Sequence, residues 1–440
     1  MPKPRLSIAC MVLICSLYSL AADRSRTSFA SLPAEAQAGI RAAMRRGGAI
    51  QHFTLTASDG ANNDAFGLSV AIDGNTVVVG ALQGGNQDLG AAYVFVKPAN
   101  GWTNMTQIAE LTPSDGEFHD CFGCSVAISG NTIVVGNSGL EVNGNRGQGA
   151  AYVFVEPSTG WVSMTETAKL TASDGVSDAQ FGSGVAISGN TIVVGAPGTY
   201  PMEGNAYIFV EPDGGWVSAT QTAELAPSDG FAYDNFGLSV SISGDTALIG
   251  APDNGSGSPE VGRGYIFVEP TDGWTNMTQT AELAASDGQI GDTVGWSVSI
   301  DAGTAVIGSP THPDGGEVYV FVKPKRGWSN MTQTAGLQSG SGSSCTGWST
   351  SISGNVIVSG SQCGSGLRGQ AFVFVKPPDG WRNSSKSSLT LSIPFTYGQD
   401  YFGASVSISG ITGVVGAPYA PTTLPGVQSG PGEAFIFTPR

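Results

Sequence analysis

Charge and histidine are both scarce in this chain: 12% of its 440 residues are charged, and three are histidine. His52, His119 and His312 fall in no nucleophile elbow and no metal-binding signature, which leaves hydrolytic or zinc chemistry little to build on. Beyond residue 50 no long helical period is present, and beyond Ala22 there is no further apolar run that could span a bilayer. Basic residues are few as well, with 12 Lys and Arg against 33 Asp and Glu after residue 48. So acidic a surface makes nucleic acid and anionic membranes poor partners, and leaves cations, basic proteins and neutral glycans open.

Two of the six cysteines, Cys10 and Cys15, lie in an N-terminal apolar run; the other four, Cys121, Cys124, Cys345 and Cys363, are an even number that suits an oxidising compartment. Lys3 and Arg5 precede that run, and small residues end it at Ala22, so residues 1–22 read as a secretory signal peptide. Secretion or display at the cell surface is therefore expected. The alternative, an uncleaved anchor, meets a run that is short for a bilayer. Residues 23–48 carry five arginines and read as a basic linker or a short helix towards Arg46.

What the chain has in quantity is glycine, 64 residues, and repetition. The phrase F-G-x-S-V-x-I-S-G-N-T-x-V-V-G-A-P, or a close variant, begins at Phe66, Phe122, Phe181, Phe236, Val294, Thr346 and Phe402, at steps of 56, 59, 55, 58, 52 and 56 residues. A period this long is one supersecondary unit copied in space. The second copy contains four strand-like runs, at 125–128, 132–135, 150–155 and 165–170, joined by Gly, Asn, Asp and Pro turns. Such runs form an antiparallel meander, and meanders repeated about an axis form a propeller, whereas stacked end to end they form a solenoid.

The phase of the ends separates these two. The last copy holds three runs, at 404–408, 412–415 and 433–437, while the segment 52–60 matches the fourth-run segment 280–288 of another copy. One strand from each end completing a single blade closes a ring. The expectation is an all-β, seven-bladed β-propeller over residues 49–440, with four-stranded antiparallel blades and the last blade closed by the N-terminal strand.

Phe181-Gly182 with Gly195-Ala196-Pro197, and Phe236-Gly237 with Gly250-Ala251-Pro252, resemble the FG-GAP repeats of integrin α subunits and of many secreted or surface proteins of microbes. The resemblance covers residues 49–440 and implies an extracellular recognition propeller with no enzyme activity. In one respect the chain departs from the family. Its calcium-binding blades place an aspartate-rich loop between the first two strands, where this chain has only Ser-Gly-Asn, Asp73-Gly74-Asn75 or Asp301-Ala302-Gly303. Turns of that size cannot supply the six to eight oxygens calcium takes, so those sites do not carry over.

Connections in a meander alternate between the two rims of the sheet. One face of the ring then collects near-uniform turns, including Pro-x-x-Gly-Trp at Trp102, Trp161, Trp216, Trp274, Trp328 and Trp381; the other collects the unequal second-to-third loops and the links between blades. Varied loops on a uniform scaffold are where recognition is expected, here of a protein or glycan. A structural surface module with no discrete ligand, with loops that drift unconstrained, is the alternative, and a propeller hydrolase or lyase is the remaining one, since the fold itself neither grants nor forbids chemistry.

The same face carries Ser-Asp-Gly followed by a second acid: Asp59 with Asp64, Asp115 with Asp120, Asp174 with Asp178, Asp229 with Asp234 and Asp287 with Asp292. Two such carboxylates can hold a hard cation such as calcium. Asx turn chemistry explains them more simply. Blade 6 has Cys345 there and Cys363 in its second-to-third loop, a candidate disulfide; Cys121 and Cys124 could form a local bridge, a redox pair or two thiols. The six repeated tryptophans are expected to pack rather than stack on sugar, while Trp296 and Trp348 sit nearer the variable face. Sequons at Asn104, Asn254, Asn276, Asn330 and Asn383 are candidate glycosylation sites, three of them recurring as Asn-Met-Thr.

Overall fold

The structure is a computed structural model that describes residues 50–85, 89–117, 120–198, 203–252, 261–340, 344–363, 368–393, 399–420 and 430–439. The signal-like run, the basic segment 23–48, His119 and Asn254 lie outside the described residues. Seven sheets stand around one axis, and blades are numbered here from the one opened by Phe66-Gly67. In blade 2 the order from the centre outward is Phe122–Ser129, Thr132–Asn137, Ala150–Val155 and Ala168–Thr171, all antiparallel. Burial explains the composition: every residue of Thr132–Asn137 is buried, as a β-branched run covered on both faces must be. The more polar Ala168–Thr171 alternates buried and half-buried.

Closure occurs where the phase of the repeats places it. Ile50–Thr56 pairs antiparallel with Glu433–Pro439, setting His52 opposite Phe437 and Leu55 opposite Ala434, and so completes blade 7. The innermost strands surround a channel of about 250 Å³, into whose lining enter Ala71, Ala127, Ala186, Ser241, Ser299, Ser351 and Ser407. Small side chains are what seven converging strands leave room for. No helix of the described residues is long and apolar enough to cross a membrane.

The fourth run of each repeat proves to be two elements. In the second copy Met164–Thr165 pairs in parallel with Leu111–Thr112 of blade 1, and only Ala168–Thr171 belongs to blade 2. Met105, Ala219, Met277 and Met331 do the same, which gives five of the seven sheets a fifth strand. Each repeat thus reaches over the preceding blade and covers its edge. Polar clasps hold it there: Asn276 Oδ1 accepts the amide of Glu224, and Gln279 both accepts from the Ser228 amide and donates to its hydroxyl.

The motif glycines meet at the blade boundaries. Gly182 has φ +96°, and its carbonyl occupies the space a Cβ on Gly136 of blade 2 would need. The same contact brings Gly416 of blade 7 against Gly67 of blade 1, so the phrase that defines the repeat is also what closes the ring. On the uniform face, Asp73, Ser129, Ser188, Ser243, Asp301, Ser353 and Ser409 each accept an amide from the next blade's turn, the last from Gly74.

Apolar cores fill the spaces between blades. Each of the six repeated tryptophans is 5–7% exposed and belongs to one such core, in keeping with a packing role. Between blades 6 and 7 the core contains no tryptophan among the described residues. A slot remains there, lined by Val356, Val373, Leu391, Ile411, Gly413 and Phe437 among others.

Candidate functional site

The Ser-Asp-Gly segments lead from the fourth strand of one blade to the first strand of the next, on the variable face. Their two acids face different partners. The second accepts an amide three residues back: Asp64 from Ala61 at 2.6 Å, Asp120 from Glu117 at 2.6 Å, Asp234 from Phe231 at 2.8 Å and Asp292 from Gln289 at 2.8 Å. This cap steadies the turn in which the following residue, Ala65, Cys121, Asn235 or Thr293, takes φ between 53° and 66°. Asp178 is not equivalent, since Ala179 holds the cap position in that segment and Asp178 is exposed. Asp400 is fully buried.

The first acid looks into the next blade. Tyr93 donates to Asp59 (3.2 Å), Tyr152 to Asp115 (2.6 Å), Tyr207 to Asp174 (3.3 Å) and Tyr265 to Asp229 (3.2 Å), each tyrosine standing in the third strand of the following blade. Burial first, and then the facing acids, push these phenols far above their ordinary range. A cation joins in two blades: Lys169 lies 2.5 Å from Asp115, and Arg263 lies 3.0 Å from Asp229 and 3.3 Å from Glu282. Burial alone would raise Asp115, but the Lys169 and Tyr152 hydrogen bonds outweigh it and hold the carboxyl below its usual range. Glu110 and Glu224 face Asp59 and Asp174, and burial followed by that like charge raises both.

In blade 5 the structure brings Asp287, whose expected partner was Asp292, together instead with His312 and Glu317, two residues the spacing of acids did not point to. Their signal was present as departures from the repeat: Glu317 stands where other copies have Ala91, Ala150 or Asn205, and Gly336 stands where they have Glu110, Lys169 or Glu224. Next along the ring, Cys345 and Cys363 form a disulfide on the variable face of blade 6. Cys121 and Cys124 are unbridged; a hydrogen bond with Cys124, working against burial, lowers Cys121 to about 7, and the same bond together with burial raises Cys124.

Aromatic and aliphatic groups complete this face. Trp296 and Trp348, each just ahead of an innermost strand, pack at 4.8 Å between ring centroids and stay half-buried. Val176 (49% exposed), Phe231 (66%), Tyr233 (39%) and Ile290 (74%) occupy the three successive segments that enter blades 3, 4 and 5. On the outer clasps, Asn104, Asn276, Asn330 and Asn383 are exposed, and their Oδ1 atoms accept amides of the preceding blade, a structural use that accounts for the recurrence of asparagine there.

A family profile described as FG-GAP repeat matches residues 50–95, 105–154, 164–209, 219–267, 277–321 and 397–437. The first five stretches run from the outer strands of one blade into the third strand of the next, so the sequence repeat and the blade are out of phase by one strand. The segment 322–396, which holds most of blade 6, is unmatched; it replaces the opening phenylalanine by Thr346 and the acid-bearing turn by Ser339-Gly340. No curated protein matches the chain. Six matched repeats covering more than half of the sequence, folded into a ring whose blades touch through the F-G and G-A-P glycines, make this chain a member of the FG-GAP repeat family.

Proposed function

We propose that the chain is a secreted or cell-surface recognition propeller, without catalytic activity, that binds a protein or glycan through its variable face. The observation that carries this reading is the run of exposed apolar side chains, Val176, Phe231, Tyr233 and Ile290, on three successive segments of that face. Large apolar groups left in water on neighbouring segments of one face favour a protein partner, because covering them releases their hydration cost. The carboxylates that line the central channel, Asp73 and Asp301, are each tied to a turn amide of the next blade, which supports a channel used as scaffold and not as a reaction centre.

The test is a pair of face-specific variants. Purified protein is screened against arrays of extracellular proteins and of glycans, and every hit is remeasured with Phe231→Ser/Ile290→Ser and with Val217→Ser, a change outside those segments. Recognition through the variable face predicts at least a tenfold loss with the double variant and little change with Val217→Ser. Absence of hits, or hits insensitive to the double variant, would return the protein to the class of structural surface modules; turnover of an arrayed glycan would make it an enzyme.

A further inference from the structure

Blade 5 differs from its neighbours at positions that meet in space. Glu317 opens its third strand, Gly336 sits in its fourth opposite Tyr319 and diagonal to Glu317, and His312 lies in its second-to-third loop. Gly336 is what admits the glutamate, since a Cβ on residue 336 would collide with Glu317 Oε1. The carboxylate that blades 1, 3 and 4 carry on the fourth strand has in effect crossed to the third, next to a histidine they lack. His312 is fixed by its loop, with its amide bonded to Ser309 and its carbonyl accepting the amides of Gly315 and Gly316.

The imidazole is 6% exposed, with Nδ1 3.7 Å from Glu317 Oε2 and Nε2 4.0 Å from Asp292 Oδ2. Buried Nδ1 makes no hydrogen bond. Tyr319, which packs edge-on against this ring at 6.4 Å, faces Asp287 as Tyr93, Tyr152, Tyr207 and Tyr265 face their aspartates, but at a looser distance than those four hydrogen bonds. Buried polar atoms left unpaired are costly, and carboxylates crowded around one imidazole leave an excess of negative charge.

We propose that Asp287, His312 and Glu317 form a binding site for a divalent transition-metal ion of the zinc class on the variable face. One donor atom from each lies within 4.8 Å of the other two. Donors held about 2.0–2.2 Å from a tetrahedral ion stand roughly 3.4 Å apart, so the His312–Glu317 pair at 3.7 Å is nearly in place and Asp287 has to close by at most about 1.4 Å. One imidazole with two carboxylates suits zinc, cobalt or manganese better than calcium, which wants six or more oxygens. Gln338 steadies the glutamate from outside, its amide 3.5 Å from Glu317 Oε2 and 3.3 Å from Asp314 Oδ2. Burial raises Glu317 despite the opposing pull of His312, and a bound cation would relieve that cost of ionisation.

The experiment uses the full chain freed of metal with a chelator, titrated calorimetrically with Zn²⁺ and followed by absorption with Co²⁺. One equivalent of Zn²⁺, a raised melting temperature and a visible Co²⁺ band are expected, and excess Ca²⁺ should displace neither ion. His312→Gln should abolish the band, and Glu317→Gln should weaken binding at least tenfold. Because both side chains are buried, Asp287→Asn, at an exposed position where the amide oxygen can still accept from Gln333, gives a milder variant that should also weaken Zn²⁺ by at least tenfold. No Zn²⁺ binding by the parent, equal affinity in Asp287→Asn, or displacement by Ca²⁺ would each overturn the assignment.

Discussion

Glu433 stands at the same strand position in blade 7 as Glu317 in blade 5. Burial, with the charge of Asp400 adding to it, pushes its carboxyl up to about 7. An unfolded glutamate titrates near 4.3, so between about pH 4.5 and 7 the folded state holds a proton that the unfolded state has lost, and stability falls as pH rises through this window. Glu433→Gln removes that dependence. Melting temperatures at pH 5 and pH 7.5 should differ less in the variant, which should gain on the parent at the higher pH. Parallel curves for the two proteins would show that Glu433 does not titrate in this way.

At this scale the sequence was legible where residues repeat and opaque where they do not. The pairing of Asp59 with Asp64 read as a spacing of five, yet Asp59 bonds Tyr93, 34 residues on, while Asp64 caps its own turn. Spacing along a chain cannot distinguish two acids that share a site from two acids serving neighbouring blades. His312 was a lone histidine until Glu317 and Asp287 stood beside it.

At the scale of the element, the blade boundary is a backbone contact, and a methyl group tests it. Gly182 has φ +96°, and a Cβ there would come 2.5 Å from the carbonyl oxygen of Ala150. Gly182→Ala combines left-handed strain with a clash against a strand that cannot retreat, a loss of about 2–4 kcal/mol in chemical denaturation. Gly130→Ala is the control, with φ +59° and nothing within 4 Å of the added atom; strain alone should cost it about 1 kcal/mol. Equal losses would mean that the boundary is not tightly packed. The four-strand meander itself was readable from turn residues and β-branched runs. The fifth strand was not, because Met164–Thr165 and Ala168–Thr171 form one polar run in the sequence and only the neighbouring blade divides it.

The whole molecule has one seam whose core differs from the rest. Six spaces between blades bury a tryptophan, but the space between blades 6 and 7 holds a slot, and among the described residues the outer strand Leu389–Leu391 has no parallel strand or bridge beyond it, where blade 5 has at least the Leu337–Ser384 bridge. Closing the ring covalently should repair both. A permuted chain would run from Thr438 through an eight-residue hairpin copied from residues 97–104, Lys-Pro-Ala-Asn-Gly-Trp-Thr-Asn, into residue 49, with new termini between Asn143 and Gly144 in an exposed loop. The new tryptophan would enter the slot at the level Trp102 occupies between blades 7 and 1. Replacing a buried tryptophan by alanine costs about 3–5 kcal/mol, so partial filling should yield about 2–3 kcal/mol over the same permutant with glycine in place of that tryptophan. Amide exchange at Leu389–Leu391 should slow in the same comparison, because the added strand covers that edge. Identical stability and exchange in the two permutants would mean the slot is not a seat for the repeat's tryptophan, and that the seam is held by the disulfide-bearing blade 6 in another way.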